Sequence, residues 1–78
     1  MRRYMHNLER LGWVVATERQ ALGWSQAELA DRAQTAQTVI EGIEQGKVAA
    51  NISTVERVLD TLDVTALVLP AELVTAQP

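Results

Sequence analysis

The chain has 78 residues, enough to bury the core of one domain but not of two. Apolar residues make up 47% with no Phe and no Cys, which excludes a disordered chain, a disulfide framework and a thiolate metal site, and requires an aliphatic core. Seven basic against ten acidic residues give a formal charge of -3, which argues mildly against a polyanionic partner.

Residues 1–7, Met1-Arg2-Arg3-Tyr4-Met5-His6-Asn7, are read as an N-terminal arm. They are basic but lead into Leu8-Glu9-Arg10 rather than an apolar run, so they do not have the form of a secretory signal. No 18-residue apolar stretch follows, and a soluble, cytoplasmic protein is expected. Arg2 and Arg3 are either a flexible arm touching phosphate or ordinary solvated charges. His6 is the lone histidine, and neither a metal nor a cofactor is expected.

Leu8, Leu11, Val15 and Leu22 recur at helical period, with Arg19 on the same stripe, which predicts helix one. Gly23 ends it by supplying a backbone that accepts positive φ. Ser25-Gln26-Ala27-Glu28 has the form of a capping box, so helix two starts at Gln26 and turns Leu29, Ala30 and Ala33 inward. A tight turn is expected at Gln34-Thr35-Ala36. Helix three carries Ile40 and Ile43 on its core face and stops at Gly46, leaving Gln37, Thr38, Glu41, Gly42 and Gln45 toward solvent or a ligand.

Asn51 is the expected N-cap of helix four, whose Ile52, Val55, Val58, Leu59 and Leu62 form one stripe. Val64-Thr65-Ala66-Leu67-Val68-Leu69 is β-branched and apolar between Asp63 and Pro70, and reads as a short strand. A lone strand needs a partner for its backbone groups, and a second copy of the chain could supply one in a homodimer. The alternatives are a continuation of the helical region or an unpaired tail. Residues 71–78 are read as a frayed end.

Enzyme activity is not expected, because no nucleophile and base can be paired; Ser25 and Ser53 serve as a helix cap and a first-turn residue. Trp24, beside Gly23, is read as core, and Trp13 as cover for a helix seam or a dimer face.

Two short helices across a three-residue turn within a bundle of four form a helix-turn-helix arrangement. The run Leu22-Gly23-Trp24-Ser25-Gln26-Ala27-Glu28-Leu29-Ala30, followed by Ile40-Glu41-Gly42-Ile43-Glu44-Gln45-Gly46-Lys47, closely resembles the phage repressor and Cro type (XRE) family over most of residues 8–63. The run from Ser53 to Leu62, with Leu67-Val68-Leu69-Pro70, looks most like the HipB antitoxin branch, in which a C-terminal strand pairs between subunits. The resemblance implies an all-α, four-to-five-helix lambda-repressor-like bundle at 8–63, with 64–70 as the dimer strand. It also implies a homodimer that binds double-stranded DNA as a transcriptional repressor, with a toxin as a further partner.

On this resemblance Gln26 anchors a phosphate at the start of helix two, and Lys47 and Gln45 hold the flanking backbone. Gln37 and Thr38, in the first turn of helix three, read base edges, with Glu41 on the same face. Arg32 is a further phosphate contact or a surface residue. Arg19 and Glu44 match a pair that forms an internal salt bridge in the family. Three departures stand out: Gln34 where the turn usually has Gly, Ala36 where helix three usually has a Ser or Thr cap, and a helix three without Lys or Arg. A protein-interaction module on the same scaffold is the rival reading.

Overall fold

Four runs of helical periodicity become four helices in a computed structural model, which describes residues 2–47 and 51–64, with side chains from residue 8 onward. They are α1 (Arg2–Ala21), α2 (Gln26–Arg32), α3 (Gln37–Glu44) and α4 (Ile52–Thr61). The described residues contain no strand, so the expected all-α class holds for them.

Each helix start has its own cause. The Ser25 hydroxyl accepts from the Glu28 N–H at 3.0 Å while the Glu28 carboxylate accepts from the Ser25 N–H at 2.7 Å, a reciprocal box that opens α2. Asn51 opens α4 by accepting from the Thr54 N–H at 2.9 Å. Ala36 sits at the head of α3 with no side-chain hydrogen bond, and Thr35 does not replace it.

All four helices stop the same way, in a paired-carbonyl ending around a left-handed residue: Gly23, Gln34, Gly46 and Asp63, with φ between 57° and 80°. At the end of α2 the Thr35 N–H donates to the Ala30 carbonyl at 2.9 Å and the Gln34 N–H to the Asp31 carbonyl at 3.2 Å. Gln34 and Asp63 hold this conformation without being glycine, at a cost of about 1–2 kcal/mol each.

The core is aliphatic, as the absence of Phe requires. Leu8, Leu11 and Val15 of α1 meet Leu29 and Ala30 of α2, Ile40 and Ile43 of α3, and Val55, Val58 and Leu59 of α4, with Ala33 and Leu62 closing the cluster. Each fully buried Leu, Ile or Val contributes about 1.5–3 kcal/mol through the surface it removes from water. α3 lies against both α1 and α2, and α4 packs on α2, while Gln34 and Ala36 in the turn between α2 and α3 stay exposed.

Three expectations are corrected. α1 begins at Arg2 rather than Leu8: nothing between residues 2 and 7 breaks a helix, and each residue added to an existing helix gains a backbone bond. Arg2 to Asn7 are therefore part of α1, not a separate arm. Leu22, placed on the inward stripe, is 48% exposed, because α1 ends at Ala21 and the chain turns away. Val64, the first residue of the expected strand, instead completes the end of α4, its N–H donating to the Leu59 carbonyl at 3.0 Å and its side chain packing on the core. Thr65 to Leu69 and the expected frayed end, 71–78, lie outside the described residues.

Candidate nucleic-acid interface

The arrangement of α2 and α3 is fixed by a small polar network at their edge. Arg19, on the otherwise apolar face of α1, donates from Nε to Glu44 Oε2 at 2.7 Å and from a terminal nitrogen to Glu44 Oε1 at 3.1 Å. Its other terminal nitrogen donates to the Trp24 carbonyl at 2.8 Å, so all three nitrogens of the guanidinium are used. Both side chains of this pair are about nine-tenths buried, and the Glu44 hydrogen bond holds Arg19 above the ordinary arginine pKa. The pair locks the end of α3 to α1 and cancels the charge of Glu44.

Gln26 joins this network, its side-chain amide donating to Glu44 Oε1 at 3.0 Å. One amide N–H is thereby committed, and the carboxylate dictates which way the amide faces, leaving the second N–H and the carbonyl oxygen for another partner. Beneath the same corner, Gly12 lets α1 approach α3 to main-chain contact. A Cβ at that position would stand 2.4 Å from the Ile43 carbonyl oxygen and 2.8 Å from that of Glu44.

The outer face of α3 is polar. Gln37, Thr38 and Gln45 are exposed, Glu41 is half-exposed, and Lys47 stands exposed just past the helix. Gln37 donates its amide to Glu41 Oε2 at 3.0 Å, one turn along. The remaining amide N–H and Oε1 of Gln37 are free to pair with a base edge. Gln26 lies at the border of this face through its bond to Glu44. Arg32 is separate: its guanidinium stacks 4.3 Å above the Trp24 ring, which accounts for its position without any ligand. Trp24 is half-buried against the core, whereas Trp13 is 68% exposed and covers no seam among the described residues.

α2, its turn and α3 form a helix-turn-helix, with one short helix braced on the core and the next showing an open polar face. A family model described as helix-turn-helix matches residues 15–69. The chain belongs to the helix-turn-helix family. This helix-turn-helix type, the XRE type, is one of DNA-binding transcription regulators. No curated protein and no solved structure matches the chain. Among the described residues, no helix is long and apolar enough to cross a membrane.

Two residues of this helix-turn-helix were not singled out by reading the sequence. Gly12 was hidden because a glycine inside a helix gives no periodic signal; its meaning lies in the helix that crosses it. Arg57 of α4 is the other: its Nε donates to the Ala33 carbonyl at 2.8 Å and a terminal nitrogen reaches the Gln34 carbonyl at 3.4 Å. The signal available was indirect: a turn lacking its usual Gly and cap needs support from elsewhere.

Proposed function

We propose that the chain binds double-stranded DNA sequence-specifically as a homodimeric repressor, in the manner of an antitoxin that regulates its own operon. The observation that carries this reading is the exposed polar face of α3, with Gln37 and Thr38, continued by Gln45 and Lys47 just past the helix, above an acid, Glu44, whose charge Arg19 has cancelled. Gln37 keeps one donor and one acceptor after its bond to Glu41, which is the pair adenine requires at N7 and N6. Thr38 offers a methyl and a hydroxyl to the neighbouring base.

Lys47, Gln45 and the free amide N–H of Gln26 are assigned to phosphates, where they fix register without reading sequence. The low number of cations is offset by duplication: a dimer doubles each phosphate contact and links the two half-sites. We assign dimerisation to the run from Thr65 to Leu69, directly after the bundle, in which Thr65 and Val68 are β-branched and Leu67 and Leu69 apolar. A toxin is the protein partner that the antitoxin setting would supply.

Fluorescence anisotropy against duplexes from the region upstream of the coding sequence, at two salt concentrations, tests the reading. Lys47→Ala should weaken all duplexes alike and lower the salt slope by about 1, whereas Gln37→Ala should relax discrimination at one base pair by about 1–3 kcal/mol. A second reading, a protein-docking module with weak DNA binding, is favoured by one observation: α3 carries Glu41 and no cation on its open face. Equal, weak affinity for every duplex, unaffected by either substitution, would select it.

A further inference from the structure

The turn between α2 and α3 is held against the preferences of its own residues. Gln34 occupies a left-handed conformation at φ 57° that favours glycine, and α3 starts at Ala36 without a side-chain cap. The backbone bonds at the end of α2 serve the Ala30 and Asp31 carbonyls. The Ala33 carbonyl takes its donor from another helix: Arg57 of α4, through Nε at 2.8 Å, with the Gln34 carbonyl at 3.4 Å from the same guanidinium.

We propose that Arg57 is a positioning residue for DNA reading, which ties the turn to α4 and so fixes the direction in which α3 presents Gln37 and Thr38. The proposal rests on the DNA-binding reading above. Three physical effects converge on this contact. A cation sits at the C-terminal end of α2, where unpaired carbonyls concentrate negative charge. The bond to Ala33 is charge-assisted and therefore among the stronger hydrogen bonds available. The planar fork of arginine spans two successive carbonyls, which a lysine ammonium on its flexible stem cannot hold together.

α4 is anchored in the core by Val55, Val58 and Leu59, so it offers a rigid post. Gln37 follows Gln34 by three residues, and any swing of the turn is passed directly to the first turn of α3. Arg57 thus makes up for the two departures in the turn: it braces the strained Gln34 and shortens the reach over which the uncapped start of α3 can fray.

The test compares wild type with Arg57→Met, Arg57→Lys and the pair Arg57→Met with Gln34→Gly, each in the full chain and checked for folding by circular dichroism. Amide exchange at Thr35 reports the turn and that at Val15 the core. Arg57→Met should speed Thr35 exchange about tenfold more than Val15 exchange, Arg57→Lys should recover part of this, and Gln34→Gly should shrink the effect. Affinity for the preferred duplex should fall about tenfold while the salt slope stays unchanged, because Arg57 holds carbonyls and not phosphate.

Thr35 and Val15 changing in step would overturn the proposal, since Arg57 would then only stabilise the fold. A salt slope reduced by about 1 would also overturn it, by making Arg57 a phosphate ligand. Wild type that binds no duplex would remove the DNA-binding reading itself, and the exchange ratio would still decide whether Arg57 holds the turn.

Discussion

Replacing Gly12 by alanine sets two well-understood effects against each other. Gly12 lies inside α1, where alanine is normally favoured over glycine by about 0.8–1 kcal/mol. Its added Cβ, however, would lie 2.4 Å from the Ile43 carbonyl oxygen and 3.0 Å from the Glu44 carbonyl carbon. Carbon–oxygen contacts settle near 3.3 Å, so α3 would have to retreat by roughly 0.9 Å, the difference between 3.3 and 2.4. The obstructing atoms are main chain, so no rotamer change relieves the clash.

Overpacking of this kind costs about 1–3 kcal/mol, and more where a helix must move. Main-chain obstruction puts the cost in the upper part of that range, about 2–3 kcal/mol, so that after the helix-propensity gain Gly12→Ala should lose about 1–2 kcal/mol, which in a domain of this size lowers Tm by about 4–16 °C. Thermal unfolding followed by circular dichroism checks it. A displaced α3 should also weaken the Arg19 to Glu44 pair, so DNA affinity should fall under conditions where the variant remains folded. An unchanged or raised Tm would refute the reasoning, since helix propensity would then have won and the crossing could not be as close as the geometry states.

Four further outcomes follow from the helix ends. Gln34→Gly relieves a left-handed non-glycine residue and should raise stability by about 1 kcal/mol in chemical denaturation, whereas Gly23→Ala at φ 75° should lower it by a similar amount. Ala36→Ser supplies the missing cap of α3 and should add about 0.5–2 kcal/mol, seen as a higher denaturation midpoint without a change in slope. The capping box lowers the pKa of Glu28, chiefly through its bond from the Ser25 N–H. Its charge therefore stabilises the fold above the ordinary glutamate range, and the effect is lost as pH falls through the depressed value. The Tm difference between wild type and Glu28→Gln should accordingly be present at neutral pH and vanish on acidification; a gap that persists in acid would contradict this.

Local signals were legible in the sequence wherever one residue type has one strong use. Ser25 with Glu28, Asn51 and the stripe Val55-Val58-Leu59 gave α2 and α4 their starts and their inner faces, because capping and helical period act over a few residues. The start of α1 was legible only in part: Tyr4 stands at helical spacing before Leu8 and Leu11, but Arg2 and Arg3 carry no start signal. Leu22 misled because its spacing fits a helix that has already stopped.

In the candidate site, Arg19 was legible as a charge on an apolar stripe that had to be paired, and its partner Glu44 came from the family resemblance. The links from Gln26 to Glu44 and from Gln37 to Glu41 were not. They depend on which long side chains meet after packing, and the second sits on an open face where rotamer choice is set locally. Arg57 and Gly12 were invisible for a related reason: each acts on the main chain of a segment more than twenty residues away.

Selection of duplexes from a random pool by the full chain, followed by sequencing, addresses the central claim most directly. The face built on Gln37 and Thr38 should enrich a two-fold symmetric site containing adenine in each half, and Gln37→Ala should lose the preference at that position while still retaining duplexes. Recovery of no enriched sequence at low salt, or of the same sequence with Gln37→Ala, would contradict the account of α3 as the element that reads DNA.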